Sequence, residues 1–145
     1  IAHVPQNIYL SDMTIEKNIT FSKQENCINK ALLKKSCKEA SIMEFIEALP
    51  LKFKTSVGER GVLISGGQLQ RIGLARAFYK NAQVIFLDEA TSAIDNLTEK
   101  EIFAEIYKHR KERIIFLISH NRNLLKYCSK VYEFKENRNF ELKMN

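Results

Sequence analysis

The sequence is organised around one stretch, Val84-Ile85-Phe86-Leu87-Asp88-Glu89. Four apolar residues have the character of a fully buried strand, and two acids follow them directly. Ligands of open α/β sheets bind at the carboxyl ends of the strands, and an isolated ionised carboxylate is costly in a buried position. The pair therefore suggests an Asp88 that helps to hold Mg²⁺ and a Glu89 that polarises an attacking water. A strand that exits into solvent, or an acid that caps a helix, is the alternative.

Helices and apolar strands alternate on both sides of this stretch, which favours an α/β fold with a largely parallel sheet. The chain opens in a strand that runs into a loop, and the segment 15–21 is mixed. A helical segment, 26–49, is predicted to form two helices that meet near Ser41 and to end at Pro50. The remaining predicted elements are a helix at 69–79, a buried strand at 83–87, a helix at 98–109, a second buried strand at 113–118, a short helix at 121–127 and small strands at 130–134 and 140–143.

The composition is that of an ordinary globular domain. The 145 residues are 45% hydrophobic and 28% charged, which excludes collagen-like, low-complexity and wholly disordered classes. The longest apolar runs, 84–87 and 114–118, fall far short of the roughly 20 residues that a membrane helix needs. Because the chain opens on Ile1 and already runs through a strand there, we expect it to be a piece of a longer protein.

Cysteines and charge exclude other classes of function. Cys27, Cys37 and Cys128 show no C-x2-C spacing, so we expect free thiols in a reducing compartment rather than a disulfide framework or a zinc site. The net charge of +6 is dispersed along the chain. Because no basic stripe is interleaved with aromatic residues, no nucleic-acid partner is expected.

The stretch Ser65-Gly66-Gly67-Gln68 allows two interpretations. Ser-x-x-Gln is the pattern of a helix capping box, and Gly-Gly is common in turns. The same glycines and hydroxyl at a helix start would also expose backbone N–H groups to an anion. Both interpretations use the same groups, so the stretch alone does not decide between them.

Three further residues are ambiguous by themselves. A lone His120 after an apolar strand is more often structural than catalytic. Asp95 suits a helix cap as well as a binding site. Gln6, directly after Pro5, gives no signal of its own.

The order of these motifs along the chain resembles that of the ATP-binding-cassette (ABC) ATPases. Their Q-loop, signature, Walker B motif, D-loop and H-loop would correspond, in that order, to Pro5-Gln6, 64–71, 84–89, 90–95 and Ile118-Ser119-His120. The resemblance covers residues 1 to about 135 and implies that the chain, 1–145, is a partial P-loop NTPase-like ABC domain. It would divide into a mainly helical signature part at 7–80 and a part of the catalytic core, from Walker B onward, at 81–145.

The resemblance also implies a role for each motif residue, with ATP and Mg²⁺ as the ligands. Glu89 would act as general base, Asp88 would hold Mg²⁺ through water, and Gln6 would sense both the Mg²⁺ and the attacking water. His120 would contact the γ-phosphate. The residues that would bind ATP held by a second nucleotide-binding domain, or lie at that dimer interface, are Ser65, Gly66, Gly67, Gln68 and Asp95.

Two stretches resemble the exporter branch of the family, 4–19 and 57–61. In exporters the second stretch touches the transmembrane domain, so we expect contacts with such a domain near Gln6 and Glu59, at the cytoplasmic face of the membrane. The amino-acid sequence of these stretches is most similar to that of exporters of lipids, oligosaccharides or polysaccharides. The alternatives are a soluble ABC ATPase that acts on nucleic acid or ribosomes, and a remnant without catalysis.

One expected motif of an ABC ATPase does not occur in the chain. A Walker A loop requires Gly-x-x-x-x-Gly-Lys-Ser/Thr. None of the glycines is followed by Lys; they are Gly58, Gly61, Gly66, Gly67 and Gly73. Because the cradle for the β- and γ-phosphates is missing, we expect the 145 residues alone to bind ATP poorly and to hydrolyse none.

Overall fold

The computed structural model describes residues 1–22, 24–58, 63–109, 111–134 and 140–144. Five helices and seven strands occur in these ranges. The helices are α1 (Ile15–Thr20), α2 (Lys30–Glu39), α3 (Met43–Ala48), α4 (Gly66–Tyr79) and α5 (Asn96–Lys108). The strands are β1 (Ala2–Val4), β2 (Met13–Thr14), β3 (Ser56–Val57), β4 (Val84–Asp88), β5 (Ile114–Ile118), β6 (Lys130–Phe134) and β7 (Phe140–Met144). Short 3-10 turns lie at Glu25–Cys27, Lys52–Lys54 and Arg122–Tyr127.

A three-stranded parallel sheet, in the order β1-β4-β5, carries the carboxylate pair. Val4 of β1 pairs with Leu87 of β4, and Asp88 at the end of β4 pairs with Ile118 of β5. Two antiparallel pairs, β2 with β3 and β6 with β7, complete the strands of the described ranges. The predicted α/β class and the parallel sheet are confirmed.

Helix α4 lies at the centre of the helical part and contacts α1, α2 and β1. Its face carries Ile72, Leu74 and Ala75, all fully buried. Gly73 lets the loop after β1 approach closely, because an added Cβ would lie 2.5 Å from Cδ1 of Ile8. The absence of a side chain at this one position thus sets how closely the loop packs on α4.

The predicted break in the segment 26–49 is confirmed. Helix α2 ends at Glu39 and α3 begins at Met43, while Ser41 between them has a φ of 50°. The left-handed backbone turns the chain so that Ile42 becomes fully buried. The sequence of the segment 15–21 indicates no single type of secondary structure. In the structure this segment forms α1, with Thr14 as its N-cap and Phe21 as its C-cap.

The prediction that β4 and β5 are both fully buried strands is wrong. Ile85 and Leu87 of β4 are buried in the core that α4 and α5 share. Alternate residues point to the opposite face of the sheet, and there Ile114, Phe116 and Ile118 are 61%, 51% and 58% exposed. Phe86 stacks on Phe116 with ring centroids 4.8 Å apart. We call these four residues the open face, because no element of the described ranges covers them.

Candidate active site

The sheet register brings three loops to one edge. Because Val4 pairs with Leu87, the chain leaves β1 at Pro5-Gln6 beside the end of β4. Because Asp88 pairs with Ile118, β5 ends beside β4 and is followed by Ser119 and His120. Parallel strands that end together place their following residues side by side.

Glu89 is the centre of the resulting cluster. Nε2 of Gln6 donates a hydrogen bond to Oε2 of Glu89 at 3.2 Å. Nε2 of His120 lies 2.9 Å from Oε1 of the same carboxylate. The His120 side chain is 94% exposed, whereas that of Glu89 is 24% exposed. The structure thus brings together the three residues predicted as catalytic and leaves the cluster open to a ligand.

The backbone at Glu89 is unusual for a residue with a side chain, since its φ is 47°. Non-glycine residues rarely adopt the left-handed region, and they do so where surrounding bonds hold them. Here N–H of Glu89 donates to the carbonyl oxygen of Ile118 at 3.0 Å, which ties it to β5. The preceding Asp88 ends β4 and is half-buried.

Ser65 and Gln68 form the predicted capping box at the start of α4. Oγ of Ser65 accepts a hydrogen bond from N–H of Gln68 at 3.3 Å, and Oε1 of Gln68 accepts one from N–H of Ser65 at 3.0 Å. Gly66 and Gly67 occupy the first turn, where backbone N–H groups lack helical partners. The capping interpretation is therefore confirmed, and the N-terminus of α4 carries the partial positive charge of a helix start.

Gly67 touches the loop between β4 and α5. An added Cβ at this position would lie 2.8 Å from the carbonyl oxygen of Ala93, whereas one at Gly66 would lie 3.3 Å from Cβ of Ala93. The first turn of α4 and the loop after Glu89 are consequently in direct contact.

Asp95 caps α5 and does not join the Glu89 cluster. Its carboxylate accepts hydrogen bonds from N–H of Leu97 at 3.1 Å and of Thr98 at 3.0 Å. The hydrogen bonds from the backbone and side chain of Thr98, in that order, hold the pKa of Asp95 below its usual range. The alternative that Asp95 is a helix cap is thus confirmed.

Two buried polar residues near the cluster were not predicted from the sequence. Gln70 on α4 is 4% exposed, and Glu99 on α5 is 6% exposed. The Glu99 carboxylate accepts hydrogen bonds from Oγ1 of Thr91 at 2.7 Å and Nδ2 of Asn121 at 2.6 Å. A polar residue on an otherwise apolar helix face is the signal that could have found Gln70, which follows Ser65 by little more than one turn.

The described ranges contain no group of three or more His, Cys, Asp or Glu side chains placed to hold a metal ion. Asp88 and Glu89 offer two carboxylates at the sheet edge. Mg²⁺ characteristically takes one or two carboxylates and fills its other positions with water and phosphate oxygens. The residues present therefore fit an ion that arrives together with a nucleotide.

A cavity of about 700 Å³ lies beside the loop that carries Gln6. Its lining includes Asn7, Tyr9, Phe21, Arg76 and Lys80. Glu59, the other residue predicted to contact a transmembrane domain, lies outside the described residues. No helix in the part of the chain that the structure describes is long and apolar enough to cross a membrane.

Comparison with known proteins identifies the family. The family model of the ABC transporters matches residues 1–92. The chain is 36% identical over 138 residues to a probable ABC transporter ATP-binding/permease protein of Haemophilus influenzae, covering 95% of this chain and 25% of that protein. It is 42% identical over 120 residues to an ATP-dependent lipid A-core flippase of Saccharophagus degradans, covering 83% of this chain and 20% of the flippase.

A solved structure agrees with these relatives. A bacterial Atm1-family ABC exporter with ATP bound superimposes with a TM-score of 0.81 and 33% sequence identity. The match covers 90% of this chain and 23% of the exporter chain. The chain thus spans a quarter or less of the length of each of these relatives.

Proposed function

Since the chain belongs to the ATP-binding-cassette transporter family, we propose that it is the catalytic part of the ATP-hydrolysing domain of a membrane exporter. The observation that carries the proposal is the cluster of Gln6, Glu89 and His120 at the carboxyl edge of the parallel sheet. A carboxylate held between an amide and an imidazole is suited to take a proton from water during phosphoryl transfer.

In this proposal the residues of the cluster have different tasks. Glu89 accepts the proton of the attacking water, and its two oxygens are aimed by Gln6 and His120. His120, which is exposed, contacts the γ-phosphate of the nucleotide, while Gln6 detects both the water and the metal. Asp88 would hold Mg²⁺ through water, and the bound ion would offset the negative charge of the phosphates.

A second nucleotide-binding domain completes the site. Ser65, Gly66, Gly67 and Gln68 lie at the N-terminus of the 14-residue helix α4, which is suited to the γ-phosphate of ATP bound by that partner. Asp95, at the exposed start of α5, would lie at the same interface. The 145 residues alone would bind ATP poorly and hydrolyse none, because their sequence contains no Walker A motif to hold the β- and γ-phosphates.

The transmembrane domain is proposed to contact the surface around the cavity that lies beside Gln6. Exposed Tyr9 and Phe21 border this cavity, and apolar exposed side chains are common at contacts between proteins. We assign this surface, together with Glu59, to contact with a transmembrane domain at the cytoplasmic face. The division into a helical signature part at 7–80 and a core part at 81–145 belongs to the same proposal.

The substrate proposed for the exporter is a lipid or a lipid-linked saccharide. The likeness to lipid A-core flippases supports this class. The experiment is to purify the native protein that carries this chain in detergent and reconstitute it into vesicles containing a fluorescent glycolipid. MgATP is expected to drive the glycolipid across the bilayer. A protein that needs no detergent and whose ATPase activity responds to RNA or ribosomes would contradict the proposal and favour a soluble ABC ATPase.

A further inference from the structure

Gln70 joins three segments of the site through a single buried side chain. Its Oε1 accepts a hydrogen bond from N–H of Ala93 at 2.8 Å, and its Nε2 donates to Oγ of Ser92 at 3.0 Å. Nε2 also lies 3.4 Å from the carbonyl oxygen of Glu89 and 3.5 Å from that of Gln6. The amide orientation is unambiguous, because a backbone N–H can only donate and a carbonyl oxygen can only accept.

The contact with Glu89 falls on the residue whose backbone is strained. The carbonyl oxygen of Glu89 accepts hydrogen bonds from Nε2 of Gln70 and, at 3.2 Å, from N–H of Ser92. The N–H of Glu89 donates to the carbonyl oxygen of Ile118. Left-handed backbone at a residue with a side chain persists only where neighbours fix it. Gln70 therefore helps to set the direction in which the Glu89 carboxylate points.

The other end of the connection is the start of α4. Gln70 follows the Ser65–Gln68 capping box on the same helix, and Gly67 packs against the carbonyl of Ala93, next to the N–H that Gln70 binds. A ligand that shifts the first turn of α4 would move Gln70 with it. The rigid helix would carry this movement directly to Glu89 and Gln6.

From this geometry we infer that Gln70 is a positioning residue that couples occupancy of the α4 N-terminus to the orientation of Glu89 in the same chain. The inference rests on the proposed function. Gln70 touches no reacting atom; it acts through the backbone of Glu89 and Gln6. It regulates the catalytic site by linking the nucleotide of the partner domain to the general base.

The test compares two variants with a matched control in the native, full-length protein. Gln70→Met keeps the length and burial of the side chain and removes every hydrogen bond. Gln70→Glu keeps the acceptor for N–H of Ala93 and, only when protonated, regains one donor. Gln83→Met is the control, since the Gln83 side chain is exposed and lies outside the site. Steady-state hydrolysis of MgATP is measured, together with thermal unfolding.

Gln70→Met is expected to lower kcat at least roughly tenfold while KM for ATP stays within about twofold, because binding groups are kept and the general base is misdirected. The activity of Gln70→Glu relative to wild type should rise as the pH falls from about 8 to about 6, because burial favours the protonated form of the carboxyl group. Gln83→Met should behave as wild type.

A Gln70→Met variant that keeps kcat within about twofold of wild type would overturn the inference. If Gln70→Met does not fold, the pH profile of Gln70→Glu tests the inference instead. An activity of Gln70→Glu that stays in constant ratio to that of the wild type across this pH range would overturn the inference. Failure of the proposed function is distinguishable: the wild-type protein would then hydrolyse no ATP, or Glu89→Gln would hydrolyse it normally, and the inference would fall with it.

Discussion

The helical region (α1–α4) and the sheet region (β1, β4 and β5) bury their apolar residues differently. In the helical region Ile15, Ile42 and Ile72 are all fully buried. In the sheet region only one face is buried, and the open face leaves Ile114 and Phe116 more than half exposed. The apolar sequence of β5 is the same in kind as that of a buried strand, so burial here depends on which elements lie against the sheet.

The candidate site lies where these two regions meet. Glu89 and His120 follow strands of the sheet region, whereas Ser65 and Gln70 belong to the helical region. The buried polar side chains of Gln70 and Glu99 tie loop residues of the site to helices. Polar contacts therefore position the site residues, whereas apolar packing positions the helices that make those contacts.

The strongest change in stability is expected within a pair of isoleucines on opposite faces of the sheet. Ile85 is fully buried, and Ile114 is 61% exposed. Ile85→Ala should cost about 2–5 kcal/mol of the free energy of unfolding, because it leaves a cavity. Ile114→Ala should cost less than about 1 kcal/mol, because little buried area is lost. Urea unfolding of the chain measures both, and equal losses would show that the open face is covered.

The next effect concerns the contact between the two regions at the first turn of α4. Gly67→Ala should cost about 1–3 kcal/mol, because its Cβ would lie 2.8 Å from the carbonyl oxygen of Ala93. Gly66→Ala should cost less than about 1 kcal/mol, because its nearest neighbour lies at 3.3 Å and alanine favours the helix. Thermal unfolding of both variants measures the difference, and the reverse order would contradict the contact with Ala93.

How much of this arrangement the sequence predicts depends on the range of the interaction. The capping box at Ser65 and the helix break at Ser41 follow from local patterns, and the structure has both. The half-exposure of β5 and the contacts of Gln70 depend on segments that are distant in the chain. Local hydrophobic periodicity carries no information about such contacts. The meeting of Gln6, Glu89 and His120 was implied by the family resemblance, since none of the three is decisive alone.

A smaller effect is expected from the charge of Asp95. The hydrogen bonds of Thr98 lower the pKa of this carboxyl in the folded state, so its stabilising contribution is present above the unfolded pKa and is lost as the pH falls through the folded pKa. Asp95→Asn keeps a capping oxygen and removes the titration. As the pH falls below about 4, the free energy of unfolding of the wild type should therefore decrease more than that of Asp95→Asn. Acid unfolding curves of the two proteins measure the difference. Glu101→Gln, on the exposed side of the same helix, is the control.

The last prediction compares the reactivity of two cysteines, Cys27 before α2 and Cys37 within it. Cys37 is fully buried, and burial raises its pKa to about 12, whereas Cys27 is exposed. At about pH 8 the Cys37 thiol stays protonated and inaccessible, so it should resist iodoacetamide while Cys27 reacts. Mass spectrometry of the labelled chain measures both sites. Equal labelling without denaturant would mean that the helical region is open in solution.

The role of Glu89 as general base is decided by ATP hydrolysis in the native protein carrying Glu89→Gln. The amide is nearly the same size and cannot take a proton, so turnover should fall by roughly 10²–10⁴-fold while binding of MgATP is kept. Single-turnover hydrolysis and equilibrium binding of labelled ATP separate the two steps. Hydrolysis at the wild-type rate in Glu89→Gln would contradict the assignment of Glu89 as general base and, with it, the proposed active site.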